Sequence, residues 1–88
     1  MKKLEFKGNK NLIHFQLKQI RSKKKITQEE LAAKMQVLSV NINQQEISRI
    51  EHNRRVVSDF ELVCFCKALS CTERELLRDF YEELGEDD

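Results

Sequence analysis

Proline is absent from the chain, and glycine occurs only at Gly8 and Gly85. Both residue types interrupt helices and build the turns of β-sandwiches and barrels, so their scarcity favours helices and argues against those folds. Charged residues make up 35% of the 88 residues. This composition predicts an all-α fold class in a single domain, 1–88, that buries about 60% of the surface of the unfolded chain.

Long apolar runs are also absent. No segment approaches the roughly 18 consecutive apolar residues that a membrane-spanning helix needs, and the sequence does not open with a signal peptide. We therefore expect a cytoplasmic protein that has no membrane partner.

The chemical signatures of enzymes and metal proteins are scarce as well. Cys64, Cys66 and Cys71 are odd in number, and in a cytosolic chain we expect them to be reduced. Cys64 and Cys66 lie about 200° apart around a helix and cannot chelate one ion together, while His14 and His52 complete no ligand spacing. No nucleophile–base pair, glycine-rich phosphate loop or acidic cluster on the basic side is visible. We expect no cofactor, no small-molecule ligand and no enzymatic activity.

Charge is divided unevenly along the chain. Residues 1–55 contain 13 Lys and Arg against 5 Asp and Glu, a balance of +8. Residues 56–88 contain 3 against 10, a balance of −7, although the whole chain is at only +1. A basic first part indicates a polyanionic partner, and the acidic last part should lie away from it.

Four capping boxes divide the chain. In each, a Ser, Thr or Asn side chain precedes a Glu by three residues, so that the two side chains satisfy amides at a helix N-terminus. The boxes are Thr27–Glu30, Asn43–Glu46, Ser58–Glu61 and Thr72–Glu75. Apolar residues at helical spacing follow each box. These signals, together with the helical spacing of Ile13, Leu17 and Ile20 before the first box, predict five helices, over about 11–24, 28–36, 44–52, 59–69 and 73–84, followed by an acidic tail at 85–88.

The third predicted helix lies within the stretch INQQEISRIEHNRR (42–55) and carries two kinds of side chain. Ile47 and Ile50 have the spacing of a face that packs on the core. The opposite face presents amide, hydroxyl and guanidinium groups, from Gln44, Gln45, Ser48 and Arg49. Such groups are costly to bury without partners, so they should face solvent or a polar ligand.

Several segments together resemble a known family. LKQIRSKKKITQEELAAKM, then ISRIEHNRR, SDFELVCFCKAL and TERELL, resemble the phage-repressor helix-turn-helix family of the lambda repressor and Cro type, XRE-like, over about 12–77. One departure is the stretch QVLSV (36–40), which lengthens the turn between helices 2 and 3. A second is that Lys25, Asn41 and Asn53 fill turn positions where the family usually has glycine. The resemblance implies a compact five-helix lambda-repressor-like domain.

The same resemblance implies a function and a set of contacts. It makes helix 3 the recognition helix in the major groove, with Gln44, Gln45, Ser48 and Arg49 contacting bases; Gln suits adenine and Arg suits guanine. The expected phosphate contacts are Gln28, Arg21, Lys23, Lys24, Asn43, Arg54 and Arg55. Ile42 fills the family's apolar turn position and should anchor the start of helix 3. We therefore expect a sequence-specific regulator that binds double-stranded DNA and acts as a repressor.

Assembly and an alternative function complete the expectations. A lone helix-turn-helix contacts about half a site, so a homodimer is expected. Helix 5 has more apolar residues than one inward face needs, and the predicted dimer contacts are Leu77, Phe80, Tyr81 and Leu84. The alternative is a protein-interaction module, such as an antitoxin-like partner protein, that retains the fold without binding DNA.

Overall fold

A computed structural model describes residues 6–85 of the chain. Within this range it contains six helices and no strand, apart from one isolated β-bridge between Phe6 and Asn9. The helices are α1 (His14–Lys23), α2 (Gln28–Val37), α3 (Gln44–Glu51), α4 (Asp59–Leu69), α5 (Glu73–Leu76) and α6 (Arg78–Glu83). The predicted all-α fold class is confirmed. Residues 86–88 of the predicted acidic tail lie outside the described range.

All four predicted capping boxes form. The side chains of Thr27, Asn43, Ser58 and Thr72 accept hydrogen bonds from backbone amides three residues later, at the starts of α2, α3, α4 and α5. In each case the Glu at that later position accepts from the amide of the capping residue. The sequence signals therefore correspond to real helix starts.

The core lies where α2 packs on α3 and α4, with α1 and α5 closing it. Its largest fully buried side chains come from every helix except α6, from the residue just before α1 and from the connection before α3. They are Ile13, Leu17, Leu31, Met35, Ile42, Ile47, Ile50, Phe65, Leu69 and Leu76. None of the described helices is long and apolar enough to cross a membrane.

The first helix begins at His14, three residues later than the sequence predicted. The reason is Asn11, whose side chain is buried and hydrogen-bonded to another part of the chain. Its Nδ2 donates to the carbonyl oxygens of Ile50 and Arg55, at 3.0 and 2.9 Å, while its Oδ1 accepts from the Ile13 amide. Asn11 thus joins the end of α3 to the segment before α1, which a position inside the helix would prevent.

The fifth predicted helix is divided at Leu77. This residue has φ −96° and ψ 14°, which ends α5 after four residues and starts α6. Leu76 is fully buried in the core, whereas α6 has no buried residue. The Phe80 ring of α6 instead packs edge-on against Phe6, with 5.4 Å between ring centroids. The break lets α5 dock in the core while α6 covers the first described residues.

The lengthened connection between α2 and α3 is ordered by burial and by backbone hydrogen bonds. Val40 and Ile42 are buried, and the Val40 amide donates to the Met35 carbonyl at 3.0 Å. The Gln36 side chain donates to the Ile42 carbonyl at 3.2 Å. The predicted burial of Ile42 just before α3 is confirmed.

Non-glycine residues adopt the left-handed backbone conformation just after each of the first four helices. They are Lys25, Ser39, Asn53 and Ser70, with φ of 59°, 67°, 61° and 51°. Lys25 and Asn53 fill turn positions where the family usually has glycine, and both are at positive φ. Asn41 is not at positive φ; Ser39 takes that conformation because it, and not Asn41, directly follows the last turn of α2.

Candidate nucleic-acid interface

The two faces of α3 separate as the sequence predicted. Ile47 and Ile50 are fully buried against the core. On the other side Gln45 and Arg49 are exposed, while Gln44 and Ser48 are half-buried. The structure therefore brings the four predicted base-contacting residues together on one outward face. Asn43, a predicted phosphate contact, is exposed at the start of this face and uses its Oδ1 to cap the helix.

A chain of hydrogen bonds extends inward from the first residue of α3. Gln44 donates through Nε2 to Gln28 Oε1 at 2.6 Å, and Gln28 Nε2 donates to Glu51 Oε1 at 2.9 Å. Arg21 completes it, since its Nε and Nη2 donate to the two carboxylate oxygens of Glu51 at 2.7 and 3.0 Å. Four side chains thus connect the start of α2, both ends of α3, and α1.

Arg21 occupies an environment that differs from the predicted one. Its side chain is 12% exposed and that of Glu51 is 1% exposed. Its Nη1 also donates to the Ile26 carbonyl at 2.8 Å. A guanidinium with these partners is already neutralised and hydrogen-bonded, so its evident role is to fasten α1 to the end of α3. The sequence could not distinguish this role from a phosphate contact.

Arg55 is engaged in a similar way. Its guanidinium donates to both carboxylate oxygens of Glu61, at 3.1 and 2.9 Å, and lies 3.7 Å from Glu46 of α3. The hydrogen bonds to Glu61 raise the pKa of Arg55. Burial acts to raise the pKa of Glu61, but hydrogen bonds from Arg55 and the Ser58 amide outweigh it and leave that pKa lowered. This pair joins α4 to the segment that follows α3.

The remaining predicted phosphate contacts are accessible. Lys23, Lys24 and Arg54 are exposed, and Lys24 Nζ donates to the Ser70 carbonyl at 3.2 Å. Within residues 6–85, Arg49 and Arg54 form no ion pair or side-chain hydrogen bond, which leaves both guanidinium groups available. Gln28 is half-buried in the chain described above and keeps one N–H without a partner in the described residues.

Three asparagines hold the end of α3 through contacts that the sequence did not predict. Asn53 Oδ1 accepts from the Lys10 amide at 2.8 Å, and its Nδ2 donates to Asn9 Oδ1 at 3.0 Å. Asn11 bonds the Ile50 carbonyl nearby. The available signal was the position of Asn9 and Asn11 before a helix, since asparagine favours such turns. The distance in sequence to α3 hid their partners.

The sequence of α2 and α3 matches a described family. A family model for the helix-turn-helix matches residues 17–76, most of the chain and all of α2, the connection and α3. The chain belongs to the helix-turn-helix family. This confirms the resemblance and places the protein among DNA-binding transcription regulators.

A solved structure agrees with this assignment. It is the crystal structure of a single-residue mutant of the restriction-modification controller protein C.Esp1396I, which is 30% identical to this chain. The TM-score is 0.68, and the match covers 96% of this chain and 98% of that one. A comparison with curated proteins found no significant match to the chain.

In this helix-turn-helix domain the four predicted dimer contacts lie in different environments. Phe80 packs on Phe6, and Tyr81 is covered by the guanidinium of Arg74, 4.1 Å from its ring centroid. Leu77 is half-buried, and only Leu84 is exposed, at 52%. Two further exposed apolar side chains, Phe60 and Val63, lie on α4 and were not predicted.

The cysteines of the helix-turn-helix domain contribute mainly to its packing. Cys66 is buried in the core, and burial raises the pKa of its thiol to about 12. Burial also raises the pKa of the half-buried Cys71. All three cysteines are free thiols, and residues 6–85 contain no cluster of three or more His, Cys, Asp or Glu side chains suited to a metal ion.

Proposed function

We propose that the protein is a repressor that binds a specific double-stranded DNA sequence with α3 in the major groove. The observation that carries the proposal is the outward row of Gln44, Gln45, Ser48 and Arg49 on a helix whose other face is fixed in the core. An α-helix fits the major groove, where amide and guanidinium groups distinguish base pairs. The similar protein is a restriction-modification controller protein, and a controlling role agrees with this proposal.

The phosphate contacts in this proposal are the accessible polar and basic residues around α3. They are Gln28, Lys23, Lys24, Asn43 and Arg54. Arg21 and Arg55 are left out of this set because their guanidinium groups bind Glu51 and Glu61. We assign these two arginines the task of holding α3 in place.

We further propose that the protein acts as a homodimer. One helix-turn-helix contacts only about half of a binding site, and a two-fold dimer places two copies of α3 about 34–36 Å apart, one turn of DNA. The predicted surface of Leu77, Phe80, Tyr81 and Leu84 has its most accessible apolar side chain at Leu84. The acidic residues of α6 would be repelled by phosphate, which favours this end of the domain for protein contacts.

The decisive experiment selects bound duplexes from a random pool and then measures affinity for the best site and for a scrambled one. Arg49→Ala should cost about 1–3 kcal/mol on the best site and remove preference at one base pair. Lys67→Ala is the matched control, since Lys67 is exposed on α4 outside the proposed contacts. Equal losses of Arg49→Ala on both duplexes would contradict base readout by Arg49.

Salt dependence separates DNA binding from the protein-interaction alternative. If a dimer contacts six to eight phosphates, log K should fall against log salt with a slope of about −5 to −7. A protein-interaction module that retains the fold should bind neither duplex appreciably. A slope near zero, with no selected sequence, would overturn the proposed function.

A further inference from the structure

The turn that ends α4 brings two cysteines together. Ser70 adopts the left-handed conformation, with φ 51° and ψ 49°. The Cys71 amide donates to the Cys66 carbonyl oxygen at 2.9 Å, and the Ser70 amide donates to the Lys67 carbonyl oxygen at 3.3 Å. These two bonds define a Schellman turn, whose first and last side chains commonly make an apolar contact. Here two thiols make that contact, and Cys66 Sγ donates a hydrogen bond to Cys71 Sγ.

The backbone of this turn holds the two cysteines within reach of a disulfide bond. Because the N···O distance between them is 2.9 Å, covalent geometry limits their Cα atoms to a separation of about 6.8 Å at most. Disulfides join residues whose Cα atoms lie about 4.4–6.8 Å apart. Cys64 is not a competing partner for Cys66, since it lies about 200° away around α4. The fold therefore selects one pair among the three cysteines.

The two thiols differ in accessibility. Cys66 is buried, whereas Cys71 is half-buried. Burial raises the pKa of the Cys71 thiol, against the hydrogen bond from Cys66 and the charge of Lys24, which act to lower it. Lys24 lies over the turn, where its Nζ donates to the Ser70 carbonyl at 3.2 Å. Exchange with a disulfide begins with an accessible thiolate, so Cys71 should react first and Cys66 second.

We propose that Cys66 and Cys71 are a site of reversible disulfide formation, with a low-molecular-weight disulfide as the oxidant. Cys71 gives its proton to solvent and its sulfur attacks one sulfur of the oxidant, whose S–S bond breaks and releases one thiol. Cys66 then loses its proton and attacks the Cys71 sulfur of the mixed disulfide, which releases the second thiol. The two cysteines together lose two electrons and two protons, and the oxidant is reduced to two thiols.

The new bond closes the turn between α4 and α5. α5 starts two residues after Cys71, has only four residues and buries one of them, Leu76. A short element with one buried side chain opens locally more easily than a long helix. The disulfide removes open conformations of the turn, so the oxidised domain holds α5 more firmly against α4. This inference goes beyond the proposed function and does not depend on DNA binding.

Peptide mapping of the folded full-length protein tests the pairing. The oxidant is oxidised glutathione at about pH 8.5, where thiolates become available. After the remaining thiols are alkylated, trypsin cleaves at Lys67, so Val56–Lys67 and Ala68–Arg74 stay joined only through a disulfide. We expect the joined peptides from the unmodified protein and equally from Cys64→Ser, the matched control. They should be absent from Cys71→Ser and after reduction.

Three outcomes of this experiment would overturn the inference. Joined peptides that disappear in Cys64→Ser would identify Cys64 as the partner of Cys71. Glutathione that stays attached at Cys71, without closure to Cys66, would show that the thiols do not meet. Protein unfolded in urea should form all three pairings, so the same mixture from the folded protein would show that the fold selects none of them.

Amide hydrogen exchange tests the consequence for α5. Its amides should exchange about tenfold more slowly in the oxidised protein than in the reduced protein. The same treatment of Cys71→Ser should change nothing, and Cys71→Ala replaces this variant if it does not fold. Unchanged or faster exchange in α5 after oxidation would overturn the inference. Failure of the unmodified protein to select a DNA sequence would refute the proposed function and leave these results unaffected.

Discussion

α3 and α6 are both short helices near the surface, yet the rest of the chain holds them very differently. α3 begins with a complete capping box, buries Ile47, Ile50 and Glu51, and is bonded at its end by Asn11. α6 begins without a side-chain cap and buries no residue. Its side-chain links to the first described residues and to α1 include the Phe80–Phe6 ring contact, the Lys7–Glu83 ion pair and the Gln16–Asp79 hydrogen bond.

The difference shows where this fold places its rigidity. Side chains that are ordered before binding lose less entropy when they meet a partner, so a recognition helix benefits from being fixed at both ends. Ile42 fixes the start of α3 and Asn11 fixes its end. α6 carries exposed acidic groups and is followed by the exposed Leu84, and these side chains are free to adjust to another protein surface.

The largest expected effect comes from the start of α3. Ile42→Ala leaves a cavity in the core and should lower the free energy of unfolding by about 2–4 kcal/mol in urea denaturation. Val37→Ala is the matched control: it shortens a similar side chain at the end of α2, just before the same connection, but Val37 is 84% exposed and should change stability by about 0.5 kcal/mol or less. Equal effects would contradict an anchoring role for Ile42.

The end of α3 should be the next most sensitive point. Asn11→Ala leaves the buried carbonyl of Ile50 without its side-chain donor and should cost about 1–3 kcal/mol of stability. Amide hydrogen exchange should increase in the last turn of α3 and in the loop around Asn53. Asn41→Ala, at an exposed asparagine, serves as the control. A loss of stability without faster amide exchange near α3 would argue against Asn11 as the residue that holds the end of this helix.

These two predictions concern features of α3 that could be predicted from the sequence only in part. Capping boxes and apolar spacing are local, so the starts of α2 to α5 and the two faces of α3 followed from nearby residues. The partners of Arg21 and Asn11 could not be predicted, because they lie 30 and 39 residues away in the sequence. In sequence, an arginine paired with a buried carboxylate looks the same as one free for phosphate. The break at Leu77 likewise depends on where the core ends.

Lowering the pH should weaken the connection between α3 and α4. The pKa of Glu61 is lower in the folded chain than the usual value of 4.5. Its contribution to stability is therefore present above about pH 4.5 and is lost as the pH falls through the folded value. Glu61→Gln should lower stability by about 1 kcal/mol at neutral pH and flatten the decline in acid. Parallel pH profiles for the two proteins would contradict this.

The smallest effect on the folded monomer is expected just after α6. Leu84→Asp should change the free energy of unfolding by about 0.5 kcal/mol or less, because Leu84 is 52% exposed. Sedimentation at tens of micromolar should nevertheless show that this change dissociates the proposed dimer. Phe60→Asp, at an exposed apolar residue of α4, is the comparison. A dimer that survives Leu84→Asp but not Phe60→Asp would move the interface to α4.

The left-handed residues after the first four helices have a consequence for heat tolerance. A non-glycine residue in that conformation raises the energy of the folded chain by about 1–2 kcal/mol. Glycine avoids this cost, but it also gives the unfolded chain more conformational entropy, which cancels part of the gain in stability. Lys25, Ser39 and Ser70 are therefore places where glycine should raise the melting temperature. Asn53 is not, because its side chain fastens residues 9–11. A more thermostable domain is thus accessible from three turn residues that lie outside the proposed contacts to DNA.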